Sequence, residues 1–509
     1  MLDTRNVPRV TSPTDNPAAR PVLSRDQALT LGHRLLDLAS DQVTFRDFVG
    51  VRIEHVVRTM TKVANGRVLH TNDGDSARIS FASNFGVGLP VEIRTNQLQD
   101  ETLRRVVEYA RTLAPTRPKV LNPELVGYQQ EVPATYGPRE FPPVALWHET
   151  SVRAMSAARE DVLASLVEQV QSAKLIAATT VGITARSILY LYKHGLTAFA
   201  DETDCELTVT ARSPDGTASG WGGQAHRDWA RLSPNAVAAQ AIRMANMNRA
   251  PVAVEPGRRV AILGPDAVAQ LVHKMSVAFD WDYTDMPPGQ GTPFTFGSNG
   301  GGRRTRFGLR VFDPRIMMTS DPADPDGGYA PFFEAGGKEF SILGFPTPAI
   351  TWIDHGVLTH FAYAVLTGLG REMAPCNWPE SVRLSATPGT KTATIEEMIA
   401  NCQDGVYVHR FSGVELIDMG SGMMTGTTRD GCFLVRNGRI EKPIKNFRFL
   451  DSPFLGLNRL EAIGTPERVA MGENTDTREK GFTRWPRLPV IVPPLMIRDF
   501  NFNAMVDAI

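Results

Sequence analysis

The chain has 509 residues, with 54 Lys and Arg against 55 Asp and Glu. That length exceeds one compact core and predicts two or three domains. The balanced charge excludes a broad nucleic-acid surface, which needs clustered excess cations. No apolar run approaches the roughly 18 residues of a membrane-spanning helix, and Met1–Pro21 lacks the apolar stretch of a signal peptide. Cys205, Cys376, Cys402 and Cys432 form no C-x-x-C pair, so a reducing, cytoplasmic location is expected rather than a disulfide scaffold.

Residues 1–21 read as a disordered leader, because Pro8, Pro13, Pro17 and Pro21 oppose helix and few apolar side chains are present. Ser24-Arg25-Asp26-Gln27 fits a capping box, and Leu31, Leu35 and Leu38 follow at helical spacing. Residues 42–96 read as strands, with Asn65-Gly66 and Asp73-Gly74 as hairpin turns. A helix follows with Leu103, Val106, Val107 and Ala110 on one face. Seven prolines in 114–143 predict an extended connector. The next helix, over 150–172, buries Val162, Leu163, Leu166, Val167 and Val170. Strands are expected at 175–183, 186–192 and 205–211, and the Gly- and Ser-rich stretch 213–230 reads as a boundary loop.

In the second half, helices are expected at 234–248 and from Pro265 to Phe279, around a strand at Arg259–Leu263. Strand-like runs occupy 305–319, 347–365, 405–420, 430–449 and 488–502. Arg436-Asn437-Gly438-Arg439 is a strong hairpin turn and Asp354-His355-Gly356 a weaker one. Together these features predict an α+β chain. A leader over 1–21 precedes an N-terminal α/β-sandwich-like domain over 22–230, built on an antiparallel sheet. A C-terminal β-rich, barrel-like domain with a few helices spans 231–509.

A zinc peptidase needs two imidazoles on one helix face and a carboxylate base. After His273, position i+4 is Val277 and position i+5 is Ala278, and Lys274 stands where the base is expected. His355 and His360 flank the predicted hairpin. His148 has Val152 and Arg153 at i+4 and i+5, and Glu149 beside it suits a helix start. No G-x-S-x-G is present, and Cys432 reads as a core thiol in an apolar strand. Gly297–Arg304 lacks the Gly-Lys-Ser/Thr of a P-loop and reads as a loop. Phe332-Phe333-Glu334 either touches a peptide or packs at a domain edge.

Five segments in order carry a family resemblance. Ser320-Asp321-Pro322 with Pro331–Gly336 resembles a D-D-P…P-F-D-D-E-G stretch, Ile350–Leu358 a hairpin with D-G-V-L, and Gly405–Val408 a G-L-Y-V. Gly420–Gly431 resembles V-T-G-D-F-S-x-G, and Gly431–Ile444 resembles G-x-x-I-E-N-G-E-I-x-x-P-V. These are motifs of the TldD/PmbA family, which includes a heterodimeric zinc metallopeptidase; Ser187–Glu202 and Ser219–Arg227 are similar to further segments of it.

The resemblance implies that the family's H-E-x-x-x-H falls on His273, Lys274 and Ala278. On a regular helix that spacing sets the two imidazoles about 140° apart, so a local bulge is expected where both are present. The family's Cys ligand would fall in Glu473–Trp485, which holds no cysteine. The resemblance therefore implies a metal-free subunit with no catalytic or metal-binding residue of its own. Zinc is expected in a TldD-like partner, or the chain pairs with itself. The implied substrate is an unfolded or extended peptide, in maturation or clearance, with contacts at Phe332, Phe333 and Glu334. Two alternatives stand beside this. One is a hydrolase with a rearranged site using His273 with His355 or His360 and Glu334 or Asp354. The other is a non-enzymatic peptide-binding scaffold.

Overall fold

The structure, a computed structural model, describes residues 20–41, 43–44, 47–65, 67–85, 90–116, 137–155, 158–281, 291–295, 305–332, 344–363, 379, 381–471 and 489–506. Most of the expected leader and connector, the Gly297–Arg304 loop and Glu473–Trp485 lie outside these residues.

The N-terminal strands are β1 (Val49–Ala64), β2 (Arg67–Thr71), β3 (Gly74–Ser83), β4 (Val91–Thr95), β5 (Ile176–Tyr192), β6 (Thr197–Arg212) and β7 (Ser219–His226). They form one antiparallel sheet in the order β4-β3-β1-β5-β6-β7, with β2 and β3 lying end to end along β1. Alternation sorts the side chains between two faces. On one face Val51, Ile53, Leu189 and Leu191 pack under α1 (Arg25–Ser40) and α2 (Asp100–Leu113). The short α3 (Glu149–Ala154) leads to α4 (Ala158–Ser172), which with α5 (Pro234–Met247) covers Val181, Ile183, Leu207 and Val209 farther along that face. The opposite face presents Ile188, Tyr190 and Tyr192 to Phe332 and Phe345.

Helix α1 opens on the predicted capping box, with Gln27 N donating to Ser24 Oγ and Ser24 N to Gln27 Oε1. Helix α2 buries Leu103, Val106, Val107 and Ala110, as their spacing requires. Several local expectations are corrected. The helix over 150–172 is two helices, and 175–183 and 186–192 form the single strand β5. Asp73-Gly74 reverses nothing: Asn72 and Met60 exchange N–H···O bonds of 2.8 and 3.1 Å, so the chain runs on along β1. The stretch 213–230 is not all loop, because its glycines build β7 under α5. A Cβ at Gly220 would lie 2.2 Å from Ala245 N, so only glycine permits that approach. The end of the leader is docked: Pro21 is buried, and the Arg20 guanidinium sits 4.1 Å over the Trp147 ring and pairs with Asp201.

The C-terminal strands are β8 (Gly257–Leu263), β9 (Ile316–Ser320), β10 (Ile350–Asp354), β11 (Val357–Leu358), β12 (Val382–Ala386), β13 (Asp404–Asp418), β14 (Met423–Arg436), β15 (Arg439–Pro443), β16 (Phe447–Asp451), β17 (Leu460–Ile463), β18 (Glu467–Arg468), β19 (Val490–Val492) and β20 (Leu495–Met505). The order β13-β8-β20-β16-β14 closes on itself through the β13–β14 pairing, giving the small barrel expected of this half. Phe411, Phe447, Phe449, Phe500 and Phe502 fill it. The remaining sheet runs β11-β10-β9-β12-β19-β18. Both predicted C-terminal turns form, with positive φ at Asn437 and Gly438 and at His355 and Gly356. No described helix is long and apolar enough to cross a membrane.

Candidate functional site

The helix carrying His273 is α6 (Pro265–Met275), which β8 feeds through Gly264. Gly264 N donates to Val408 O at 2.9 Å, and a Cβ at Gly264 would lie 2.8 Å from His409 O. Strand β13 therefore fixes where α6 begins, and Pro265 suits its first position. Ala267, Val268, Leu271, Val272 and Met275 bury the helix. The α-helix stops at Met275, short of the expected Phe279, and Ser276–Phe279 forms a tighter 3-10 turn. Both Ser276 N and Ser276 Oγ donate to His273 O, the hydroxyl at 2.6 Å, which closes the helix end.

His273 is half-buried. Burial, with the Lys274 charge beside it, pushes its imidazole down to about 4, so the ring is neutral at pH 7. Lys274 Nζ pairs with Glu415 Oε2 of β13 at 3.2 Å, so it is tied sideways as a cation. Ala278 is 1% exposed and sits in the core. At the other end of α6, burial pushes the Asp266 carboxyl up to about 7; Arg410 opposes the shift and Glu467 adds to it.

The other expected residues do not complete this site. His360 packs edge-on to Trp352 and Tyr363, with its imidazole lowered by burial. Ala362 N donates to Phe279 O at 2.8 Å, so the His360 segment lies beside the end of the α6 region. His355 is exposed in its turn and bonded to Asp354 Oδ1 at 2.7 Å. His148 stands at the N-cap position of α3 without a side-chain capping bond, 3.8 Å from Asp228, and Glu149 accepts from Trp147 Nε1. Cys432 is fully buried, and burial pushes its thiol up to about 12. Phe332 is 2% exposed, edge-on to Tyr190 and Phe141, which is the domain-edge packing and leaves the ring no open face for a peptide. Phe333 and Glu334 lie outside the described residues. Among the described residues no three His, Cys, Asp or Glu side chains converge as a metal site.

Charge gathers instead where the N-terminal sheet meets the segment 320–329. Arg227 donates to Gly328 O at 2.9 and 2.7 Å and to Glu202 Oε2 at 2.9 Å. Glu202 Oε1 accepts from Arg186, which also pairs with Glu54. Arg468 bridges Asp204 Oδ1 and Asp326 O, both at 2.9 Å. Arg383 grips Asp324 with two nitrogens at 2.6 and 2.7 Å. Burial works against ionisation of Asp324, but Arg383 and the N–H groups of Asp326 and Gly327 hold its carboxyl below the usual range.

Residues 256–504 match the family model described as the PmbA/TldA metallopeptidase C-terminal domain. The chain belongs to the TldD/PmbA family. Solved structures share the fold over almost their whole length. TldE from Thermococcus kodakarensis superposes with a TM-score of 0.73 at 13% identity, covering 92% of this chain and 99% of that one. A candidate modulator of a DNA gyrase from Thermotoga maritima gives 0.72 at 15% identity, covering 93% and 99%. A candidate modulator of DNA gyrase from Bacteroides thetaiotaomicron gives 0.69 at 15% identity, covering 94% and 99%. No curated protein matches the sequence.

For a TldD/PmbA chain, α6 is where the resemblance places a zinc motif, and its residues do not fit a zinc ion. A zinc site needs about three or four converging N, S or O ligands. The helix offers one imidazole, a cation next to it and a buried methyl group at Ala278. The buried ion pairs at the junction went unrecognised in the sequence, where they stand as single charges in strands.

Proposed function

We propose that this chain is a zinc-free subunit of a TldD/TldE-like heterodimeric metallopeptidase, working in the cytoplasm beside a zinc-bearing TldD-like chain on unfolded or extended peptides. The observation that carries this reading is α6: a single neutral imidazole at His273, with Lys274 drawn to Glu415 in place of a general base. The fold likeness to a solved TldE supports it. In this reading the chain supplies walls and substrate contacts, with Phe333 and Glu334 as candidate contacts, and the partner supplies the metal and the cleavage. Sheet edges suit such a role, because main-chain hydrogen bonds hold a peptide with little regard to sequence.

The test is co-expression with a TldD-like chain carrying H-E-x-x-x-H. The expected result is a stable mixed complex that cleaves an unfolded peptide faster than the zinc-bearing chain alone, with zinc following that chain. A chain that forms no complex, or that alone holds about one zinc lost on His273→Ala, would contradict the proposal.

A further inference from the structure

We propose that the segment Arg20–Leu23 is a strap released by acid, with His55 of β1 as its latch. His55 is 2% exposed and lies on the helix-covered face of the sheet. Across the strands its neighbours are Ser187 of β5 and then Asp201 of β6. The segment crosses this row: Arg20 pairs with Asp201, and Leu23 N donates to His55 Nδ1 at 3.1 Å. Two strand spacings are about 10 Å, within reach of the three residue steps from Arg20 to Leu23. Between these ends Pro21 and Val22 are buried, Val22 in the apolar cluster under α4.

Two hydrogen bonds fix where the ring carries its proton. Nδ1 accepts from Leu23 N and so holds a lone pair, and the single proton sits on Nε2, 2.7 Å from Asp75 Oδ1. A second proton, taken from water, adds at Nδ1. It sets one N–H against another, so the bond from Leu23 is lost. The cation keeps its pair with the Asp75 carboxylate. Protonation therefore acts against the strap and not against the sheet. Asp75 is the carboxylate bonded to the ring. Asp73 near it is held by Arg159 of α4 at 2.7 Å, and Asp201 by Arg20. Strand β5 presents the uncharged Ser187, and Arg25 and Asp26 at the start of α1 are exposed. Glu54 and Arg186 belong to the other face of the sheet. This inference stands apart from the peptidase reading, since it uses no residue of α6.

Hydrogen exchange of the full chain, read by mass spectrometry and corrected for the intrinsic effect of pH, tests it between about pH 7.5 and about pH 5.5. In wild type, protection at Val22 and Leu23 should fall at least about tenfold across that range, while β5 stays protected. His55→Asn offers Leu23 N an acceptor that does not titrate, so its strap should be equally protected at both values. Asp75→Asn, at an exposed position, removes the carboxylate that favours the cation, so its strap should open at a lower pH than in wild type. Thermal unfolding checks that each variant keeps its fold; if His55→Asn does not, wild type and Asp75→Asn decide. Unchanged strap protection in wild type, an equal release in His55→Asn, or release of Asp75→Asn at the wild-type pH each overturns the proposal.

Discussion

Helix α6 and the junction at 320–329 both hold titratable groups away from water, and they treat charge in opposite ways. On α6 burial keeps His273 neutral and Lys274 leans out to Glu415. At the junction Arg186, Glu202 and Arg227 interlock and Arg468 pairs with Asp204, nearly all of them buried. Buried ions persist only where partners satisfy them. Among the described residues, buried ion pairs gather where the sheet joins the C-terminal half, whereas α6 holds one imidazole and a lysine drawn to the surface.

The comparison breaks most easily at the junction. Glu202→Ala leaves Arg186 and Arg227 without their shared carboxylate, and should destabilise the protein by about 3–5 kcal/mol in denaturant unfolding. A loss below about 1 kcal/mol would mean that the network is incidental to holding the halves together. A smaller effect is expected from rebuilding the motif on α6. Lys274→Glu with Ala278→His should hold no stoichiometric zinc by elemental analysis, because a third ligand is still missing. The new imidazole also enters a closed core, at a cost of about 1–3 kcal/mol. Tight zinc with unchanged stability would show that α6 is closer to a metal site than its side chains indicate.

The pH response separates the groups on and beside α6 from one another. The folded-state values of His273 and His409 are lowered to about 4, so both lose stability as pH falls from the ordinary histidine range toward that value. Asp266 is raised to about 7 and acts in the opposite direction: its protonated form is favoured in the folded state, so stability is gained as pH falls through 7 and lost as pH rises. Asp266→Asn removes that gain. The melting temperature of the variant should therefore fall more steeply than wild type between pH 7 and about 5. Parallel slopes would mean that Asp266 is ionised in the folded protein.

Much of this fold was legible because its signals are local. The Ser24 capping box, the stripe of α2 and the Asn437-Gly438 turn are fixed by near neighbours, and each appears as read. The Gly-rich stretch before α5 misled, because glycine at Gly220 serves close packing of a helix on a strand rather than a turn. Asp73-Gly74 misled for the converse reason: the dipeptide suits a turn, but β1 is long enough to pair with the chain on both sides of it. The ion pairs were invisible because a charge at alternate strand positions reads as solvent-facing, and periodicity does not distinguish water from a second protein layer. At the candidate site the identities of Lys274 and Ala278 are read directly from the sequence. The burial of Phe332 and the pairing of Lys274 with Glu415 needed contacts distant in sequence.

If the partner supplies the cleavage, as proposed, His273 takes no part in it. The most direct measurement is kcat/KM for an unfolded peptide, using a mixed complex of this chain carrying His273→Ala with a zinc-bearing TldD-like chain, and confirming assembly by sedimentation. The account predicts a rate within about twofold of wild type. A loss of about a hundredfold or more in an intact complex would place His273 in the catalytic step and contradict it.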